Sequence, residues 1–175
     1  MAIKTMDDLF MYGLQDVYYA ENQIANIHPE MMAKVTEPAL FEYLGHHLDE
    51  TREQIKRLEQ IFQALGQKPQ GVTCQAVLGL IEESHELVRE IEDKEVLDAA
   101  ILASAQAIEH YEINRYGTLI AWADQLGHKV TVDQSVLGNF EVVDLLQLNL
   151  VETKSQDSRL TALAESKVNR HAAPA

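Results

Sequence analysis

The stretch Leu48–Leu58, LDETREQIKRL, returns near the end of the chain as Leu150–Leu160, LVETKSQDSRL. Leu, Glu, Thr, Gln, Arg and Leu stand at the same places in both. In each copy a glutamate, Glu50 or Glu152, sits on a helical stretch among apolar residues. Writing one polar-in-apolar helix twice, so far apart, is what a chain of two helix pairs related by a pseudo-twofold axis would do. The repeat then falls on the second and fourth long helices.

The sequence outward from the repeat fits that plan. Around the first copy, Leu44, Leu48, Ile55, Leu58 and Phe62 recur at helical spacing. This helix starts at Thr36-Glu37-Pro38, with Pro in the first turn, and stops at Gly66-Gln67-Lys68-Pro69. Before it, Thr5 is placed to N-cap a helix running to about Val35, with Leu9, Leu14, Val17, Ile24 and Ile27 inward. Pro29 should kink that helix or strip one hydrogen bond from it. After the loop GQKPQGVT, an extra helical piece spans Cys74 to about Ile91, and Glu92-Asp93-Lys94 breaks it. A long helix follows from about Glu95 to Leu126, with Ile101, Ala105, Ile108, Tyr116 and Leu119 inward and Gly127 as its C′ residue. A loop to about Gly138 leads to the last helix, Asn139 to Val168, and the tail Asn169–Ala175 is expected to fray. The expected fold is all-α: a single domain over residues 1–168, a four-helix bundle with one long crossover that carries the additional helix before the third long one, as in ferritin-like folds.

Composition narrows the function. The 175 residues are 46% hydrophobic with only four prolines and eight glycines, enough for one well-filled core. Acidic residues outnumber basic ones 28 to 14, a formal charge of −14, which repels nucleic acid and anionic membrane and suits cations. No apolar run reaches the ~20 residues of a membrane span, and the N-terminus lacks the apolar segment of a secretory signal. Cys74 is the sole cysteine, so the sequence points to a reducing cytoplasm. It also lacks a Gly-rich phosphate loop and a Ser-centred nucleophile elbow.

The polar residues on the inward faces carry the functional signal. Glu21 lies among Leu14, Val17 and Ile24. Glu109 and Glu112, three apart, share the face of Ala105, Ile108 and Leu119. With Glu50 and Glu152, five carboxylates aim into one bundle. Gathering them in a low dielectric demands protonation, partners or metal. Two divalent cations would neutralise four of the five charges, and an oxygen-rich set suits iron or manganese.

At this point the chain resembles the YciF-type bacterial stress proteins, a branch of the ferritin-like superfamily. The similarity runs through Asp8–Gln23 (DLFMYGLQDVYYAENQ), HHLDETREQIKRLEQIF, KPQGVTCQAVLGLIEE, LDAAILASAQAIEHYEINRYGTL and LLQLNLVETKSQDSRLTALAE, nearly the whole chain, with AQxxEHYEIxxYGTL as its most specific stretch. The resemblance implies a helical bundle, a homodimer, a role in stress physiology and a dinuclear metal site at Glu21, Glu50, Glu109, Glu112 and Glu152. It supplies no defined reaction. The sequence departs from the ferritin-like Glu-x-x-His: Glu53 follows Glu50 and Ser155 follows Glu152 at that spacing. Thr153 stands where relatives usually have a second acid. Gln54, Gln156, Asp157 or His47 is left to complete the ligand set.

Other polar residues on these helices are weaker candidates. His110 points about 100° away from Glu109. Tyr18, Tyr19 and Tyr111 flank the glutamates, as hydrogen-bond partners or as packing. The sequence thus supports a metal-binding bundle holding up to two ions of iron or manganese and reacting with oxygen or peroxide. The alternative is a non-enzymatic helical stress protein working through dimerisation and a protein partner.

Overall fold

The computed structural model describes residues 3–128, 131–134 and 138–173. The main elements are α1 (Met6–Met32), α2 (Pro38–Ala64), α3 (Gln75–Glu90), α4 (Lys94–Leu126), β1 (Thr131–Gln134), β2 (Gly138–Glu141) and α5 (Val142–Leu163). A π-helical turn (Ala164–Val168) and a last helical turn, α6 (Asn169–Ala172), close the chain. Helices α1, α2, α5 and α4 form a ring in which each packs on the next, and α3 lies outside against α4 and α1. This is the expected four-helix bundle with an added helix before the third long one.

Local chemistry sets the boundaries. Thr5 and Asp8 make a reciprocal capping box at α1, both bonds 3.0 Å. α1 runs through Pro29 and ends three residues later, so the proline removes a hydrogen bond in the last turn instead of ending the helix early. Pro38 opens α2, and Gly66 (φ 68°) and Gly127 (φ 67°) take the left-handed conformation just beyond α2 and at the end of α4. The crossover approaches α1 closely at Gly71, where a Cβ would lie 3.0 Å from that of Tyr19.

The buried Asp98 of α4 ties the helix pairs together. Its carboxylate accepts from the Thr36 amide (2.8 Å), the Thr36 hydroxyl (2.7 Å) and the Glu37 amide (2.8 Å) at the start of α2. Asp98→Ala should therefore cost about 2 kcal/mol, read as a lower urea midpoint with an unchanged slope. A midpoint equal to wild type would mean that water replaces the carboxylate without loss.

Three regions differ from the sequence reading. The segment expected to be a loop forms an antiparallel hairpin, Thr131 opposite Glu141 and Gln134 opposite Gly138. α5 consequently begins at Val142, with the Asp144 carboxylate accepting from the Glu141 amide. The tail expected to fray stays helical through Ala172, and the π turn buries Ala164 and Val168 against the far end of the bundle. On α2 the buried stripe passes through Thr51 and Gln54, leaving Ile55 half-buried.

That shift defines the interior. One apolar cluster fills the end built from Phe10, Leu14, Phe62, Leu119 and Leu146. A second fills the opposite end around Met31, Leu40, Leu102 and Leu160. Between them lies a polar layer.

Candidate metal centre

Each long helix contributes to the layer by helical spacing alone. α1 presents Glu21 and, two turns on, His28. α2 presents His47, Thr51 and Gln54. α4 presents Glu109, Glu112 and Tyr116, and α5 presents Asn149, Thr153 and Gln156. All are buried. The hydroxyls of Thr51 and Thr153 bond back to the carbonyls of His47 and Asn149, four residues earlier, and are thereby satisfied.

The carboxylates are not. Tyr43 donates to Glu109 Oε1 at 2.7 Å, and Tyr116 donates to Glu21 Oε1. The second oxygens of Glu21 and Glu109, both oxygens of Glu112, and the side-chain oxygens of Gln54 and Gln156 are buried without a donor among the described residues. Burial pushes Glu21 up to about 7 against the pull of the Tyr116 hydrogen bond. It pushes Glu109 up to about 8 and Glu112 well above the ordinary carboxylate range, the latter helped by Glu21 and Glu109 beside it. Burial also holds His47 well below its usual range, with His28 and His46 adding to the effect.

His47 Nε2 lies 3.3 Å from Glu109 Oε1. One ligand atom each from His47, Glu109 and Glu112 falls within 4.8 Å of the others, a spacing that a single ion can bridge. Acceptors of several helices left without donors, in a hard nitrogen–oxygen set, fit a divalent first-row cation.

The five sequence-selected glutamates divide into two groups. Glu21, Glu109 and Glu112 stand together at the centre. Glu50 and Glu152 stand at the rim, 26% and 27% exposed, beside an open groove of about 640 Å³ between α2 and α5. Glu50 turns one buried, unpartnered oxygen inward, and its other oxygen lies 3.4 Å from His46. Glu152 is held by Arg57, whose two terminal nitrogens each meet one carboxylate oxygen at 2.6 Å. Gln54 and Gln156 are in the layer. Asp157 is outside it, 3.2 Å from the exposed His110.

The tyrosines differ from the sequence candidates. Tyr18 donates to Glu59, and Tyr111 donates to Asp16 and touches the Cys74 thiol, away from the centre. Tyr43 and Tyr116 hold the glutamates instead. Tyr116 was legible as the residue one turn after Glu112; the partners of Tyr43, His28, Asn149 and Arg57 lie on other helices, so their roles follow from packing between helices.

A carboxylate layer buried across a four-helix bundle defines a ferritin-like helical protein. The chain belongs to the family described as "Domain of unknown function (DUF892)", whose model matches residues 5–173. It is 37% identical over 173 residues to Protein YciF of Escherichia coli (strain K12), covering 98% of each chain. The crystal structure of the E. coli stress protein YciF matches with a TM-score of 0.84 at 37% identity, over 95% of this chain and 99% of that one. YcfI from Rhodopseudomonas palustris matches with a TM-score of 0.83 at 51% identity, over 91% of this chain and 94% of that one. Among the described residues no helix is long and apolar enough to cross a membrane.

Proposed function

We propose that the protein is a stress-associated ferritin-like bundle whose polar layer holds divalent iron or manganese, one or two ions per chain. Glu21, Glu109 and Glu112 form the centre of the ligand set, Glu50 and Glu152 its rim, and His47 adds a nitrogen. The observation that carries this reading is Glu112, fully buried with neither oxygen met by a donor and with two further carboxylates beside it. Bound iron would supply redox chemistry with oxygen or peroxide.

The chain's own residues prepare the site for this. Tyr116 and Tyr43 fix one oxygen of Glu21 and of Glu109 and leave the other facing the layer. The apolar clusters on both sides exclude water, and the groove over Glu50 brings solvent to the rim of the layer. The reading includes a homodimer in a reducing cytoplasm, supported by the buried free Cys74 and by exposed apolar side chains such as Phe41 and Val151. The bidentate grip of Arg57 on Glu152 favours a second reading, a metal-free helical protein that acts through a protein partner.

Anaerobic reconstitution with Fe²⁺ or Mn²⁺, desalting and elemental analysis separate the two. Wild type should retain metal and Glu109→Ala/Glu112→Ala should retain none, with equal helicity by circular dichroism. Equal metal in both would remove the layer as the site, and none in wild type would leave the partner-binding reading.

A further inference from the structure

We propose that the layer takes a single ion, on the His47 side, and that the Arg57 guanidinium is the permanent cation of the other side. This rests on the metal reading above and specifies its stoichiometry and its nitrogen ligand.

The two halves of the layer are built on corresponding positions. The α2 and α5 repeat pairs His47 with Asn149 and Glu50 with Glu152. On α1 and α4, Glu21-x₄-Asn26-x-His28 matches Glu109-x₄-Asn114-x-Tyr116. One half thus holds Glu109, His47 and His28, and the other holds Glu21, Asn149 and Tyr116. Glu112 has no acidic twin, because Ile24 stands at its counterpart. The extra carboxylate reaches the ligand atoms of His47 and Glu109, with Glu21 on its other side.

Hydrogen bonding fixes what each half offers. His28 Nδ1 lies 2.6 Å from the Ile24 carbonyl oxygen. A carbonyl only accepts, so Nδ1 carries the hydrogen and Nε2 of the neutral ring has the lone pair. His47 Nδ1, 3.1 Å away, must then donate to it. The remaining lone pair of His47, on Nε2, is turned toward the carboxyl oxygens of Glu109 and Glu112. A backbone carbonyl thereby sets the tautomer of His47 through His28, as an outer shell sets a metal-ligating imidazole.

The other half is closed except at the second oxygen of Glu21. Asn149 donates to the Tyr116 hydroxyl at 3.0 Å, and Tyr116 donates to Glu21. Arg57 donates to Asn149 Oδ1 at 2.7 Å and to both oxygens of Glu152. A guanidinium keeps its charge at any relevant pH, so Glu152 is neutralised without an ion. Arg159, the twin of Arg57, lies instead with its guanidinium 5.8 Å from the centre of the Tyr43 ring. Glu50, the twin of Glu152, keeps its inward oxygen without a donor. One half offers a free nitrogen and free carboxylates; the other holds an arginine.

The test uses Mn²⁺ alone, with equilibrium dialysis, elemental analysis and electron spin-echo modulation from ligand ¹⁴N. Wild type should bind one Mn²⁺ per chain with a directly coordinated ¹⁴N. His47→Asn should lose that coupling and bind at least ~10-fold more weakly. His28→Leu should weaken binding ~10–100-fold, and His28→Gln, whose amide oxygen can still accept from His47, should restore most of it. Arg57→Gln should raise the capacity to two. Two ions in wild type, or one without ¹⁴N coupling, would overturn this inference while leaving the metal reading intact. An unchanged capacity in Arg57→Gln would overturn the role given to Arg57. No bound Mn²⁺ in wild type would overturn the metal reading and this inference with it.

Discussion

Glu112→Gln should make the metal-free protein more stable than wild type while abolishing its metal binding. Glu112 is fully buried with both oxygens unmet, and Glu21 and Glu109 stand beside it. Glutamine has nearly the same shape, is neutral at every pH, and brings two N–H groups to neighbouring oxygens that need donors. Relieving one such group should add about 2 kcal/mol, or about 4–8 °C in melting temperature for a chain of this size. The gain should be largest at pH 8, where the native carboxyls are most strongly driven to ionise. Calorimetry of metal-stripped protein measures it, and elemental analysis of the reconstituted variant measures the loss of binding. A less stable variant would mean that the metal-free layer is already satisfied around Glu112, which would remove the main support for a cation there. Stability surrendered at an active centre is a common exchange.

Much of this architecture was legible in the sequence because two spacings carry it. Helical periodicity and the start and stop residues, Thr5, Pro38, Gly66 and Gly127, located the four long helices. The repeated LxETxxQxxRL placed Glu50 and Glu152 on equivalent helices. The same spacing misjudged depth: Glu50 and Glu152 sit at the rim, while Thr51, Gln54, Thr153 and Gln156 occupy the interior. Periodicity reports a face, about 100° wide or more, and the line of closest approach within it is settled by the facing helix. The hairpin escaped because its strands are four residues each and follow no long pattern. His28 and Arg57 escaped because their roles depend on contacts to residues on α2 and α5 that spacing within one helix cannot show.

The repeat is also a record of divergence. Corresponding positions hold His47 and Asn149, His28 and Tyr116, Glu112 and Ile24. Each substitution moves ligand capacity toward one half and hydrogen-bonded closure toward the other. A repeated helix sequence has thus been given an asymmetric interior, with Arg57 bonded to Asn149 and Glu152 and Arg159 turned to Tyr43. The pseudo-twofold axis explains where polar residues gather, and the departures from it explain what they can hold.

Without metal, the protein should lose stability as pH rises from 6.5 to 8. Glu21 and Glu109 have folded-state values of about 7 and about 8 against 4.5 for an exposed glutamate, and burial raises Glu112 well above 4.5 as well. Above pH 4.5 the folded chain therefore keeps protons that the unfolded chain has released, and stability falls as pH climbs through the folded values. His28 and His47 act with the opposite sign. Held below 6.5 when folded, they favour folding more as pH rises toward 6.5 and add no further slope beyond it. The two effects oppose each other below pH 6.5, and the carboxyls act alone above it. Over that window the loss should reach about 2–4 kcal/mol, a drop of about 4–16 °C. Metal-loaded protein should lose this slope, because loading expels the same protons and the tightening of binding as pH rises offsets the fall. Paired melting curves at pH 6.5 and 8, stripped and loaded, measure both slopes. A flat curve for stripped protein would show that its central carboxyls stay ionised throughout, held by donors that this arrangement of helices does not provide.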